Sequence, residues 1–176
     1  SDAVHVGLQH QLKTIKGGLQ AALGEQKKHD DVDSLTEGSA LVLVEPGVYE
    51  EGVDIDEGRV SIWGCERDEK EMQKVVWRSC DRHTLVTSGA STAVSVNGFY
   101  MSATESEGYD GDGFNCVFAH DGVSISLERC YVTCESDMAV IEVYGAFTSV
   151  VLSGCHIHDG KGGGVFIYDK AKATLE

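Results

Sequence analysis

The sequence predicts an all-β protein: a right-handed parallel β-helix with three strands per coil, closed at its N-terminal end by a capping α-helix. Three observations predict it. Four short segments, "VSIWGCER", "VSVNGFYM", "ISLERCYV" and "VVLSGCHI", align on Ile62, Val96, Leu127 and Leu152, and self-similarity at such intervals marks a repeat architecture. A further apolar run precedes the later anchors at a near-constant distance, giving three strands per repeat. Apolar residues recur with helical spacing only near the N-terminus.

Leu8, Leu12, Ile15, Leu19 and Leu23 place one apolar face on a helix over 8–23, weakened by the pair Gly17 and Gly18. Solenoid ends need covering, which assigns this helix the role of a cap. Residues 24–40 are polar and acidic and read as a loop. The chain therefore divides into a cap and loop over 1–39 and a β-helix over 40–176. "ALVLVEPGVY" reads as a buried strand, with Pro46 and Gly47 making a type II turn. "EEGVDIDEG" alternates Val53 and Ile55 inward with Asp54 and Asp56 outward. Those carboxylates suit either a Ca²⁺ site or, as the favoured reading, a solvated edge. The charged segment 66–83 and the acidic loop 107–115 read as insertions, the second as a mobile one.

Within the repeats, Gly64, Gly98, Arg129 and Gly154 stand two residues after the anchors. Glycine permits a positive φ at such a corner. Cys65, Phe99, Cys130 and Cys155 follow and point inward, as do Met101, Val132 and Ile157 further on. On the third strand, Cys116 with Phe118, Ile141 with Val143, and Val165 with Ile167 are read as inward. With Leu175 as a fifth anchor, the spacings are 34, 31, 25 and 23 residues. The chain stops inside a strand, which predicts a β-helix truncated at its C-terminal end. The rival architecture is an antiparallel sandwich, which expects hairpin turns at short regular spacing.

The formal net charge is −15, with 29 acidic and 14 basic residues. That balance argues against a nucleic-acid partner, which needs a basic face. No apolar run approaches membrane-spanning length, and no basic-then-apolar leader opens the sequence.

"ALVLVEPGVYEEGVDID" followed by "VSIWGC" resembles the first coil of the parallel β-helix repeat superfamily, which includes pectate lyases and other sugar-acting proteins. "HIHDGKGGGVFIYDKAKATLE" is similar to one branch, the intracellular β-helices of F-box-only proteins and of SHC-binding, spindle-associated proteins. The resemblance spans about residues 40 to 176. It implies the fold, an intracellular location, cytoplasmic or cytoskeleton-associated, and a scaffold role. The sugar-acting branch implies a glycan-acting enzyme of lyase, hydrolase or epimerase type, or a carbohydrate-binding module. No paired-Asp strand motif, Gly-His-Gly or Gly-x-Ser-x-Gly elbow is present, and Arg129 is the one basic residue of the central repeats. The favoured expectation is thus a non-catalytic protein-interaction scaffold within a larger protein, with no cofactor.

Three constellations compete as sites. His156 and His158, two apart on one strand face, could share a metal with Asp159; the favoured alternative is an ordinary polar face. Cys130 and Cys155 fall within disulfide range on adjacent coils, but an inward cysteine ladder also packs as small apolar residues, which favours free thiols and a reducing compartment. Finally, Glu142, Tyr144, Phe166 and Tyr168 point outward on the third strands. Large outward aromatics suit either lateral packing against an inserted loop or a partner interface, and on the second reading they are the candidate partner-binding residues, with Glu142 at the rim. The partner is expected to be a protein or an adjoining domain, with carbohydrate the lesser alternative.

Overall fold

The computed structural model describes residues 3–7, 12–30, 39–65 and 75–176. Strands, numbered in chain order, lie in three sheets. The first contains β1 (Val4–Val6), β2 (Ala40–Val44), β5 (Arg59–Gly64), β8 (Ala93–Asn97), β11 (Ser124–Glu128), β14 (Ser149–Ser153) and β17 (Lys172–Leu175), hydrogen-bonded in that order. The second contains β3 (Gly47–Glu50), β6 (Val75–Cys80), β9 (Tyr100–Thr104), β12 (Tyr131–Cys134) and β15 (His156–His158). The third contains β4 (Val53–Ile55), β7 (Leu85–Thr87), β10 (Val117–Ala119), β13 (Ile141–Tyr144) and β16 (Val165–Tyr168). From β2 onward the chain visits the three sheets in turn and then starts again. Neighbouring strands in all three sheets pair in parallel, as in β8–β11–β14, β9–β12–β15 and β10–β13–β16. The protein is mostly β, with three parallel sheets and one described helix, an arrangement compatible with a parallel β solenoid and not with an antiparallel sandwich.

The register stacks like positions of successive repeats into columns. Val42, Ile62, Val96, Leu127 and Leu152 form one on the first sheet; Tyr49, Trp77, Met101, Val132 and Ile157 form one on the second. These belong to one apolar core, with Ile157 half-buried at its end. Period-two alternation sends every second side chain into it. Each fully buried Val, Leu or Ile contributes ~1.5–3 kcal/mol.

Helix α1 runs Ile15–Asp30 and buries Ile15, Leu19 and Ala22 against β1 and β2. It begins later and ends later than the apolar spacing predicts. Thr14 Oγ1 accepts from Gly17 N at 3.0 Å, an N-cap that fixes the start. The Glu51 carboxylate accepts from Ile15 N and Lys16 N at 2.6 and 3.1 Å, adding a negative charge at the positive end of the helix dipole. Residues 24–30, expected as loop, continue the helix because Glu, Gln and Lys are good helix formers without any apolar pattern. Leu12 instead bridges to Val6, and Leu8 lies outside the described residues. At Gly18, α1 packs tightly on the sheet: a Cβ there would overlap Val6. Gly18 is a packing requirement rather than a simple weakness.

Several further expectations are corrected. The inward position expected for Cys65 is filled by Val75, one residue before the paired Val76 and Tyr100 and so level with Phe99. Cys65 is exposed, because the next strand starts at Val75 and not at once. The segment 66–83 is not wholly an insertion: Val75–Cys80 is a strand, Trp77 is fully buried, and residues 66–74 lie outside the described ones. Pro46 and Gly47 do not form a type II turn, since Gly47 is extended and pairs with Val75. Gly98, Arg129 and Gly154 have the positive φ expected at the corner, but Gly64 does not. Gly64 is needed for close approach: a Cβ there would lie 2.6 Å from the Gly98 carbonyl oxygen. On β10 the phase is shifted by one, so Val117 and Ala119 point inward and Phe118 outward, level with Glu142. Within the 107–115 loop, Tyr109 packs edge-on against buried Phe114, with ring centroids 5.6 Å apart, and donates to the Asp112 carbonyl, while Phe114 N and Asn115 N donate to Ser136 Oγ and His83 Nδ1.

Candidate functional site

The outward faces of the three sheets differ in chemistry. On the first, Ser61, Ser95 and Ser126 stand in register, a surface explained by solvation. On the second, Tyr100, Tyr131 and His156 form one column and Ser102, Thr133 and His158 the next. The Tyr131 and His156 rings stack at 4.7 Å and 6°. His158 Nδ1 pairs with Asp159 at 2.7 Å, and both side chains are exposed. His156 and His158 thus engage different neighbours, and among the described residues no group of three His, Cys, Asp or Glu side chains converges.

The third sheet carries the aromatic face. Its register aligns Phe118, Glu142 and Phe166 in one outward column, and Tyr144 with Tyr168 in the next. The Tyr144 and Tyr168 rings lie 4.9 Å apart and the Phe166 and Tyr168 rings 5.1 Å apart, tilted by 35° and 39°. Phe118 is stacked between His83 at 5.4 Å and His120 at 4.8 Å. Tyr144, Phe166 and Tyr168 remain 37%, 56% and 36% exposed. Phe147, just beyond β13, is 90% exposed with φ 69°. A bulky side chain in that region is a strained outlier.

Glu142 is not at the rim. It is only 7% exposed and lies among the rings. Asn115 Nδ2 donates to one carboxylate oxygen at 3.0 Å and Tyr168 Oη donates to the other at 2.6 Å. That bond raises the Tyr168 pKa to about 12, because ionising the phenol would set two anions together. Asn115 N donates to His83 Nδ1 at 2.9 Å, and burial holds His83 below the ordinary imidazole range, so it is neutral with its proton on Nε2. Among the described residues Glu142 forms no ion pair.

No family model, curated protein or solved structure matches this sequence. What the site can do rests on its own geometry.

The four outward residues named from sequence are therefore brought together on one face. Phe118, His83, His120 and Asn115 were missed. "CVFA" is apolar at four successive positions, so its phase cannot be read locally; alignment with "IEVY" one repeat on would have given it. Asn115 and His83 carry no sequence signal, since they meet Glu142 only through the stacking of repeats.

None of the six cysteines forms a disulfide. Cys130 and Cys155 stand level just before β12 and β15, one residue before the paired Tyr131 and His156. Cys130 is buried and Cys155 half-buried. The adjacent Cys130 thiol lowers the Cys155 pKa to about 7, while the same contact and burial push Cys130 up. Cys116 and Cys134 are buried, and Cys80 is exposed at the end of β6.

Proposed function

We propose that this chain is a right-handed parallel β-helix of the repeat superfamily it resembles, and that it acts as a non-catalytic protein-interaction scaffold within a larger intracellular protein. Its docking face is the outward side of the third sheet. The observation that carries the reading is the exposed row of Tyr144, Phe166 and Tyr168 around a carboxylate already engaged by two donors. Covering the part of each ring still in water would recover a share, about one third to one half, of the ~1.5–3 kcal/mol that full burial of such a side chain is worth. Exposed, strained Phe147 adds a side chain with no folding reason.

One carboxylate pair on this sheet does not fit glycoside hydrolysis. That chemistry needs two carboxyls about 5–9.5 Å apart across one bond. On this sheet Asp54 lies three strands from Glu142, about 14 Å at the usual strand spacing. Sugar stacking on the rings is the second reading, since aromatics suit both ligands. No helix among the described residues is long and apolar enough to cross a membrane.

A random-peptide display selection on the immobilised protein, counter-selected with the double variant Tyr144→Ala/Phe166→Ala, tests the reading. Enriched peptides that bind wild type and not the variant support it. Peptides that bind both equally, or an oligosaccharide array that binds wild type where peptides fail, overturn it.

A further inference from the structure

We infer that the aromatic face is a receptor for a guanidinium group, an arginine side chain presented by the protein partner. This deepens the scaffold reading and rests on it. Four rings, those of Phe118, Phe166, Tyr144 and Tyr168, surround the Glu142 carboxylate by register. Ring faces carry negative potential and attract cations. A carboxylate beneath them adds a full negative charge, and its burial limits screening by salt.

That charge has no cationic partner among the described residues. Its hydrogen bonds come from neutral groups, the Asn115 amide and the Tyr168 hydroxyl. Each carboxylate oxygen keeps a further acceptor site. Nearby His83 is neutral, with Nδ1 occupied by the Asn115 N–H. Buried charges are ordinarily paired, so a cation is the missing component. The protein's formal charge of −15 supplies long-range attraction of the same sign. Guanidinium fits better than ammonium because it is planar, weakly hydrated, stacks on rings and bonds carboxylates through a fork of N–H groups. The Tyr144 and Phe166 rings, tilted by 35° and 39° against Tyr168 and still partly exposed, offer ring area to a side chain laid across them.

The test titrates the protein with N-acetyl-arginine amide and its neutral isostere N-acetyl-citrulline amide, reading ring-proton NMR shifts of Tyr144, Phe166 and Tyr168. The arginine probe should saturate, with the citrulline probe at least tenfold weaker. Glu142→Gln, which keeps size and shape, should weaken the arginine probe at least fivefold. Tyr168→Phe keeps the ring but frees one carboxylate oxygen, so it should tighten binding two- to fivefold. Equal binding of the two probes, or weakening by Tyr168→Phe to the level of Glu142→Gln, overturns the inference. The selected peptides separate this outcome from failure of the scaffold reading. If they lose affinity in Phe166→Ala but not in Glu142→Gln, the docking face stands and the guanidinium assignment falls.

Discussion

Phe99 and Phe118 are two phenylalanines with opposite fates, and truncating each tests the stacking of repeats. Phe99 is fully buried, level with Val75 and Cys130, and meets Trp77 edge-on at 5.9 Å. Its stacked neighbours are small and fixed by strand pairing, so they cannot collapse into the space left by Phe99→Ala. Phe-to-Ala changes in such cores cost ~3–5 kcal/mol, and loss of the edge-on pair sets this one near the middle, about 4 kcal/mol. Phe118 points outward, half-buried between two histidine rings. Phe118→Ala should cost about 1 kcal/mol, mostly lost stacking. Urea unfolding followed by far-ultraviolet circular dichroism measures both. With a slope of about 2 kcal/mol per M, Phe99→Ala should lower the midpoint by about 2 M and Phe118→Ala by about 0.5 M. Equal shifts, or a larger one for Phe118, would refute the inward and outward assignment of these strands.

Three further outcomes follow from local geometry. Gly64→Ala places a Cβ 2.6 Å from a backbone oxygen that no rotamer change can move, so it should destabilise by at least about 2 kcal/mol in the same unfolding assay. Phe147→Gly should stabilise by about 0.5–1 kcal/mol, the left-handed strain of roughly 1–2 kcal/mol being partly offset by glycine's entropy. Cys155 should be alkylated by iodoacetamide with a half-maximal rate near pH 7, rising with pH as the thiolate forms, while Cys130 reacts only after unfolding; mass-spectrometric mapping reads both.

Much of the architecture was readable because the repeats are self-similar where the chain turns tightly. The corner at Gly98–Phe99, Arg129–Cys130 and Gly154–Cys155 aligns without ambiguity and fixes which way His156 and His158 face. Where extra residues enter, the repeat pattern no longer marks the next strand. The stretch after Cys65 separates the corner from its next strand, so Val75 took the inward place and β6 lay hidden beside charged sequence. β1 is three residues long, pairing with β2 and bridging to Leu12, and is too short for period-two alternation to register. The aromatic row was visible in "IEVY" and "VFIY", whose outward positions hold rings that a solvated face does not need. The burial of Glu142 was not visible, because Asn115 and Tyr168 lie 27 and 26 residues away and reach it only across neighbouring strands.

The central claim is that the aromatic row is exposed for docking and is not part of the fold's own support. The melting temperature of Tyr144→Ala/Phe166→Ala against wild type tests it most directly. Side chains 37% and 56% exposed hold little of the core's stability, so their joint loss, mainly of the two ring contacts to Tyr168, should cost about 2 kcal/mol, or about 4–8 °C for a chain of this size. A fall of ten degrees or more would mean that the row is structural cover, and would contradict the account.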